Sequence, residues 1–122
     1  MKTLVIIGGS KGIGLAIVET MLPTHKVINI SRSRPEVNHS NLTHYNCDIL
    51  QDDLPEISAM DTLVYCPGSI NLKPIGQLDL EDFREDFEIN VMGAVKTIKK
   101  YLDVLRKGTS PSLLLFSTVA AK

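Results

Sequence analysis

Apolar and polar positions alternate along this chain in two rhythms. Leu4, Val5, Ile6 and Ile7 form an unbroken apolar run, the pattern of a strand buried on both faces. Residues 12–22 then carry Ile13, Ala16, Ile17, Met21 and Leu22 at helical spacing, which predicts a helix with those residues inward. Pro23 follows where that helix must stop. Residues 26–30 predict a second strand. Residues 31–41, SRSRPEVNHSN, are polar and hold a proline, so they predict a loop and a short crossover in place of a full helix. Residues 42–46 predict a third strand, and 50–58 have room for one or two helical turns, interrupted by Pro55. Residues 61–66 predict a fourth strand, broken by Pro67-Gly68.

Beyond a loop at 72–78, Asp79 is a good N-cap, and Asp82 stands where a capping box carries Glu or Gln. A long helical region is expected over 80–106, in two pieces joined near Glu88, with Phe83, Phe87, Val91, Ala94, Ile98 and Leu102 as its apolar stripe. Gly108 is placed to end it. Residues 112–116 predict a fifth strand. Strands alternating with helices mean an α/β fold, a Rossmann-like doubly wound parallel sheet with right-handed crossovers. The expectation is one domain over 1–122, with five strands in the order 3-2-1-4-5, truncated after strand 5. The order reverses between strands 1 and 4, and a ligand belongs across the carboxyl ends there. The glycine turn after strand 1, Asp48, Gly68 and the pair Ser117/Thr118 all fall at such ends.

Composition narrows the function classes. The chain has 122 residues, 43% hydrophobic and 22% charged, enough for one domain with a core. A formal net charge of −1 gives no basic footprint for nucleic acid and no polybasic membrane patch. No apolar run approaches the roughly 20 residues of a membrane span. The chain enters a strand directly, without the charged and apolar regions of a signal peptide, so a cytoplasmic location is expected. Cys47 and Cys66 match no metal or redox spacing, so no metal is expected and both thiols are taken as reduced.

Gly8, Gly12 and Gly14 follow strand 1 in a G-x-x-x-G-x-G pattern and open a helix. A helix N-terminus offers unpaired N–H groups and a partial positive charge, and glycine lets an anion approach them. By itself this is also an ordinary strand-to-helix bend. A Walker phosphate loop is excluded, because the glycine pair with its spacing, Gly9 and Gly14, is followed by Leu15 and Ala16. A dinucleotide fold that prefers NAD carries an acid at the end of strand 2 to bond the ribose 2′-hydroxyl. Here that place holds Ser31-Arg32-Ser33-Arg34, with no acid before Glu36. A guanidinium suits a 2′-phosphate through paired charge-assisted hydrogen bonds, and Lys11 adds a second cation, so NADP is expected over NAD. The plain alternative is that these are solvated loop charges.

With these residues in view, the chain resembles the N-terminal half of a short-chain dehydrogenase/reductase. Ile7-Gly8-Gly9-Ser10-Lys11-Gly12-Ile13-Gly14 is similar to the family's TGxxxGIG, with Ile7 where Thr is usual. The resemblance gives Gly8, Ser10, Lys11, Gly12, Ile13, Gly14, Ser31, Arg32 and Gly68 to cofactor binding, and Asp48 to the acid that bonds the adenine amino group. Tyr65-Cys66-Pro67-Gly68 occupies the place of the family's NNAG and keeps only its glycine, so something else must steady strand 4. Asn90, in INVMG, matches the asparagine of the catalytic tetrad. Ser117 and Thr118 lie where the catalytic hydroxyl follows strand 5; the register between them is open.

The family's Tyr-x-x-x-Lys, expected beyond strand 5, is not in this sequence, for neither Tyr45, Tyr65 nor Tyr101 has Lys four residues on. The expectation is therefore a fragment, or a chain whose apolar fifth strand is covered by a partner. The first functional expectation is an NADP(H)-dependent oxidoreductase moving hydride to or from a small carbonyl or alcohol, present as its cofactor-binding half and associating as a homo-oligomer. The alternative is an NADP-binding sensor or scaffold without turnover. A fragment that binds nothing is the third.

Overall fold

The computed structural model describes residues 1–67, 75–77 and 79–116. Gly68, Ser117 and Thr118 lie outside the described residues. The elements are β1 (Lys2–Ile7), α1 (Gly12–Met21), β2 (His25–Ser31), β3 (Leu42–Asn46), β4 (Thr62–Tyr65), α2 (Leu80–Phe87), a π-helical turn (Glu88–Met92), α3 (Gly93–Arg106) and β5 (Ser112–Leu115). A short 3-10 turn, Ile75–Gln77, precedes α2. The five strands form one sheet in the order β3-β2-β1-β4-β5, and all four pairings are parallel. Ile7 pairs with Ile30 on one side and Tyr65 on the other, so the carboxyl ends of β1, β2 and β4 share one rim.

Each face of the sheet is covered by its own layer. Leu4, Ile6, Val27 and Val64 pack against Val18 of α1 and Leu22, the residue that caps it. Val5, Ile7, Ile30, Leu63 and Tyr65 pack on the other face against Ala94, Tyr101 and Leu105 of α3. The unbroken run of β1 is thus explained: alternate residues serve opposite layers. The capping box forms, with the Asp82 amide donating to Asp79 Oδ1 at 2.9 Å and the Asp79 amide to Asp82 Oδ2 at 3.1 Å.

Three expectations are corrected. First, no helix forms between β3 and β4. The backbone carbonyls there are taken by side chains of α3: Lys96 Nζ donates to the carbonyls of Ile49 (2.9 Å) and Asp52 (2.5 Å), and the Tyr101 hydroxyl to that of Pro55 (2.7 Å). Pro55 removes a donor, and Leu54, Ile57 and Met60 anchor the segment in the core instead. Second, α1 is only partly turned as expected: Ile17, Met21 and Leu22 meet the core, but Ile13 and Ala16 at its start do not. Ile13 is 65% exposed and Ala16 is exposed, while Gly14, Val18 and Leu22 are buried. Third, the long helix is not one stripe. Gly93, Ala94, Thr97, Tyr101 and Leu105 pack inward, whereas Phe83, Phe87 and Val91 are exposed. The π-helical turn inserts an extra residue, and one residue rotates the following face by about 100°.

Gly108 sits at the end of α3 for lack of room. A Cβ there would lie 2.3 Å from the Met60 carbonyl oxygen, and the positive φ in this turn belongs to Ser110, at 48°. Among the described residues no helix is long and apolar enough to cross a membrane.

Asp61 clamps the opposite rim. Its carboxylate accepts from the amides of Thr3 (2.8 Å) and Thr109 (2.7 Å), joining β1, β4 and the approach to β5. Those two backbone bonds hold its pKa below the ordinary 3.8. A depressed folded-state pKa contributes stability that is present above the unfolded pKa and lost as pH falls through the folded one. Asp61→Asn is therefore expected to lower the urea midpoint at neutral pH, with the gap to the unsubstituted protein closing as pH drops below 4. A gap that does not change with pH would show that the carboxylate charge is not what the clamp uses.

Candidate nucleotide site

The glycine bend is built by backbone contacts. Gly14, in the first turn of α1, lies so close to the end of β1 that a Cβ would stand 2.1 Å from the Gly8 carbonyl oxygen. The absence of that Cβ lets the helix start directly against the strand. Gly8 has φ +83° and Gly12 φ +55°, conformations that side-chain-bearing residues resist. A Cβ on Gly12 would meet nothing within 4 Å, so the space over the helix start is open. Lys11, as N-cap, makes no side-chain capping bond, and no acidic residue lies in the first turn. The helix N-terminus thus keeps its amides and partial charge for a ligand.

A cleft of about 510 Å³ runs from this bend along the rim. Gly8, Ser10, Lys11, Ser31, Arg32 and Asp48 all line it. Residues from three separate strand ends are therefore brought to one cavity of a size suited to a cofactor. Lys11 and Arg32 are exposed, and neither makes a salt bridge among the described residues. The Asp48 carboxylate accepts from the Leu50 amide at 3.0 Å, which fixes it at the head of the turn after β3. Gly12 and Ile13 stand exposed at the helix start, while Gly14 is buried beneath it and serves the packing of helix on strand. Asn90 lies on the exposed side of the π-helical turn. Its neighbour Ile89, with Glu85 of α2, reaches the cleft wall.

Tyr65 supplies what the missing asparagines leave open. Its hydroxyl donates to the Ile89 carbonyl at 2.5 Å, from the end of β4 into the π-helical turn. A π-helical turn leaves a carbonyl without its α-helical partner, and this one is taken by a phenol. Burial pushes the Tyr65 hydroxyl up to about 12, so it remains a donor throughout the physiological range. Burial likewise pushes the Cys66 thiol up to about 11 and raises that of Cys47, so neither is a ready nucleophile. Among the described residues no cluster of His, Cys, Asp and Glu could hold a metal.

Sequence reading missed Tyr65, and also Asn29, a fully buried amide whose Oδ1 accepts from the Gly9 amide at 2.8 Å. The signal for Asn29 was a polar residue inside an apolar strand, since buried polar groups are found with partners.

No family model matches the chain. An uncharacterized oxidoreductase of Schizosaccharomyces pombe is 29% identical over 135 residues, which is 98% of this chain and 54% of that protein. A short chain dehydrogenase family protein from Francisella tularensis superposes with a TM-score of 0.76 at 28% identity, covering 85% of this chain and 46% of that one. The ligand-free aldohexose dehydrogenase of Thermoplasma acidophilum gives 0.85 at 25% identity, covering 98% and 50%. Two structures share the fold alone: one from Leptospira borgpetersenii holds NAD+ (22% identity, TM-score 0.75, covering 87% and 46%) and one from Burkholderia multivorans holds NADP (17%, 0.77, covering 96% and 58%). These neighbours point to the short-chain dehydrogenase/reductase family. The chain spans about half the length of the curated relatives it matches, consistent with the N-terminal half of such a protein.

Tyr65→Phe keeps the ring in the core and removes one buried hydrogen bond. It is expected to cost about 1 kcal/mol in denaturant unfolding. It should also speed amide exchange across Glu88–Met92 more than across α3. Uniform exchange in both segments would show that the hydroxyl does not hold the turn.

Proposed function

We propose that this chain is the nucleotide-binding half of an NADP(H)-dependent short-chain oxidoreductase. The observation that carries the reading is the shared cleft: a helix start with unused amides, two exposed cations beside it, and no acid at the end of β2. The donor set fits a dinucleotide. Open space over Gly12 leaves room for a pyrophosphate on the backbone amides of residues 10–14. Arg32, with Lys11, takes the 2′-phosphate, and Asp48 the adenine amino group. NADPH, when bound, supplies the hydride for reduction of a carbonyl.

What this chain's residues do is hold, orient and polarise. The π-helical turn, pinned by Tyr65, carries Asn90 next to the cleft-lining Ile89, and in this reading Asn90 serves a proton relay through water. Ser117 or Thr118 polarises the substrate oxygen in this reading. A small carbonyl or alcohol is the substrate class. The exposed apolar side of α2 and the π-helical turn, with Phe83, Phe87, Val91 and Met92 between 42% and 53% exposed, is read as the face that meets a second copy. Light scattering coupled to size exclusion is expected to give a dimer or larger; a monomer at high concentration would remove this part of the reading.

Arg32→Asp tests the cofactor choice. Loss of a charged hydrogen-bond pair is expected to raise the dissociation constant for NADP+ by about tenfold or more, with NAD+ affinity unchanged or improved. Unchanged NADP+ affinity would contradict the role given to Arg32.

A further inference from the structure

The glycine bend is held from outside by a chain of side chains running across β2 and β3. Asn29 pairs in register with Ile6 of β1 and with His44 of β3. Its orientation is fixed by its partners. The Gly9 amide can only donate, so it faces Asn29 Oδ1, at 2.8 Å. The amide nitrogen of Asn29 must then donate, and it meets Ser31 Oγ at 2.8 Å and His44 Nδ1 at 3.0 Å. His44 Nδ1 is therefore an acceptor. The ring's proton sits on Nε2, which donates to Asn46 Oδ1. Ser31 Oγ donates in turn to the Ser33 carbonyl at 2.7 Å, and Ser33 Oγ donates to Ser10 Oγ in the bend at 3.3 Å. A Cβ on Gly9 would stand 2.5 Å from Asn29 Oδ1, so bend and side chain are fitted to each other.

We infer that Asn29 is a positioning residue for the nucleotide bend and that a proton on His44 Nδ1 removes one of the contacts that brace it, which makes dinucleotide capture at this bend proton-sensitive. The inference rests on the dinucleotide reading given above. In the imidazolium both ring nitrogens are donors. An N–H on Nδ1 then points at the N–H of Asn29. Turning the Asn29 amide over relieves that clash but sets its nitrogen against the Gly9 N–H. One of the two contacts is lost in either arrangement, at a side chain that is fully buried. The neighbouring strand β2 and the loop that joins it to β3 carry His25, Lys26, Arg32, Arg34, Glu36 and His39, and among the described residues none pairs with the His44 ring. Among the described residues no carboxylate lies within ion-pair distance of the ring.

His44→Gln is the informative variant, because an uncharged amide offers one acceptor and one donor in nearly the same places. In uniformly 15N-labelled protein without ligand, the Gly9 amide resonance is expected to titrate between pH 8 and pH 5.5, and to stay flat in H44Q. Binding of NAD+, which has no 2′-phosphate to titrate, should weaken by about fivefold over that range in the unsubstituted protein and hold steady in H44Q. A Gly9 resonance that is constant, or that moves equally in H44Q, overturns the inference. So does NAD+ affinity with the same pH dependence in both proteins. If neither protein binds NAD+ or NADP+ at pH 8, the dinucleotide reading fails and the claim about capture fails with it. The Gly9 titration would then still decide whether Asn29 and His44 govern the bend.

Discussion

The contact on which this structure turns is the seating of the Gly14 backbone on the carbonyl of Gly8. No other residue type permits it, because a Cβ at position 14 would fall 2.1 Å from that oxygen. Its consequences run in both directions. Toward the interior, it sets the rotation of α1, so that Val18 and Leu22 enter the core and Ile13 is left outside. Toward solvent, it aims the amides of the first helical turn at the rim where β1, β2 and β4 end together. Helix packing and the direction of the rim amides are fixed by the same missing methyl group.

The rest of the site depends on side chains that stand in for regular structure. The connection between β3 and β4 has no helix, yet its carbonyls are paired by Lys96 and Tyr101 reaching across from α3. The π-helical turn that carries Asn90 is completed by the Tyr65 hydroxyl. The bend is braced by Asn29. In each case a backbone group that the local fold leaves without a partner, from fully buried at Gly9 to exposed at Asp52, is satisfied by a side chain from a distant segment. Such groups are expensive to leave unpaired, so each of these side chains carries more weight than its single bond suggests.

Much of this was legible in the sequence. The five strands, their order, the capping box and the break in the long helix near Glu88 followed from apolar period and turn chemistry. Those are local signals. The inward faces of the helices were legible only in part: Ile17, Met21, Leu22 and Ala94 meet the core as their spacing implies, while Ile13, Ala16, Phe83, Phe87 and Val91 do not, for reasons that are not local. The apolar spacing in α1 is compatible with more than one rotation, and the choice is made by the Gly14 contact with a different element. In the long helix, one inserted residue at the π-helical turn breaks the phase, and no composition marks it. The site was half legible. Gly8, Lys11, Arg32 and Asp48 stand out by type and spacing and line one cleft. Asn29 and Tyr65 look like strand residues until their partners on other elements are seen.

In the proposed binding mode the bend at residues 8–14 receives a pyrophosphate and Arg32 receives the third phosphate of NADP. A crystal structure of the protein with NADP+ bound tests both at once. The account predicts the pyrophosphate against the backbone amides at the start of α1 and the 2′-phosphate at the Arg32 guanidinium. Dinucleotide bound elsewhere on the sheet, with the bend empty or occupied by a side chain of the protein itself, would contradict it.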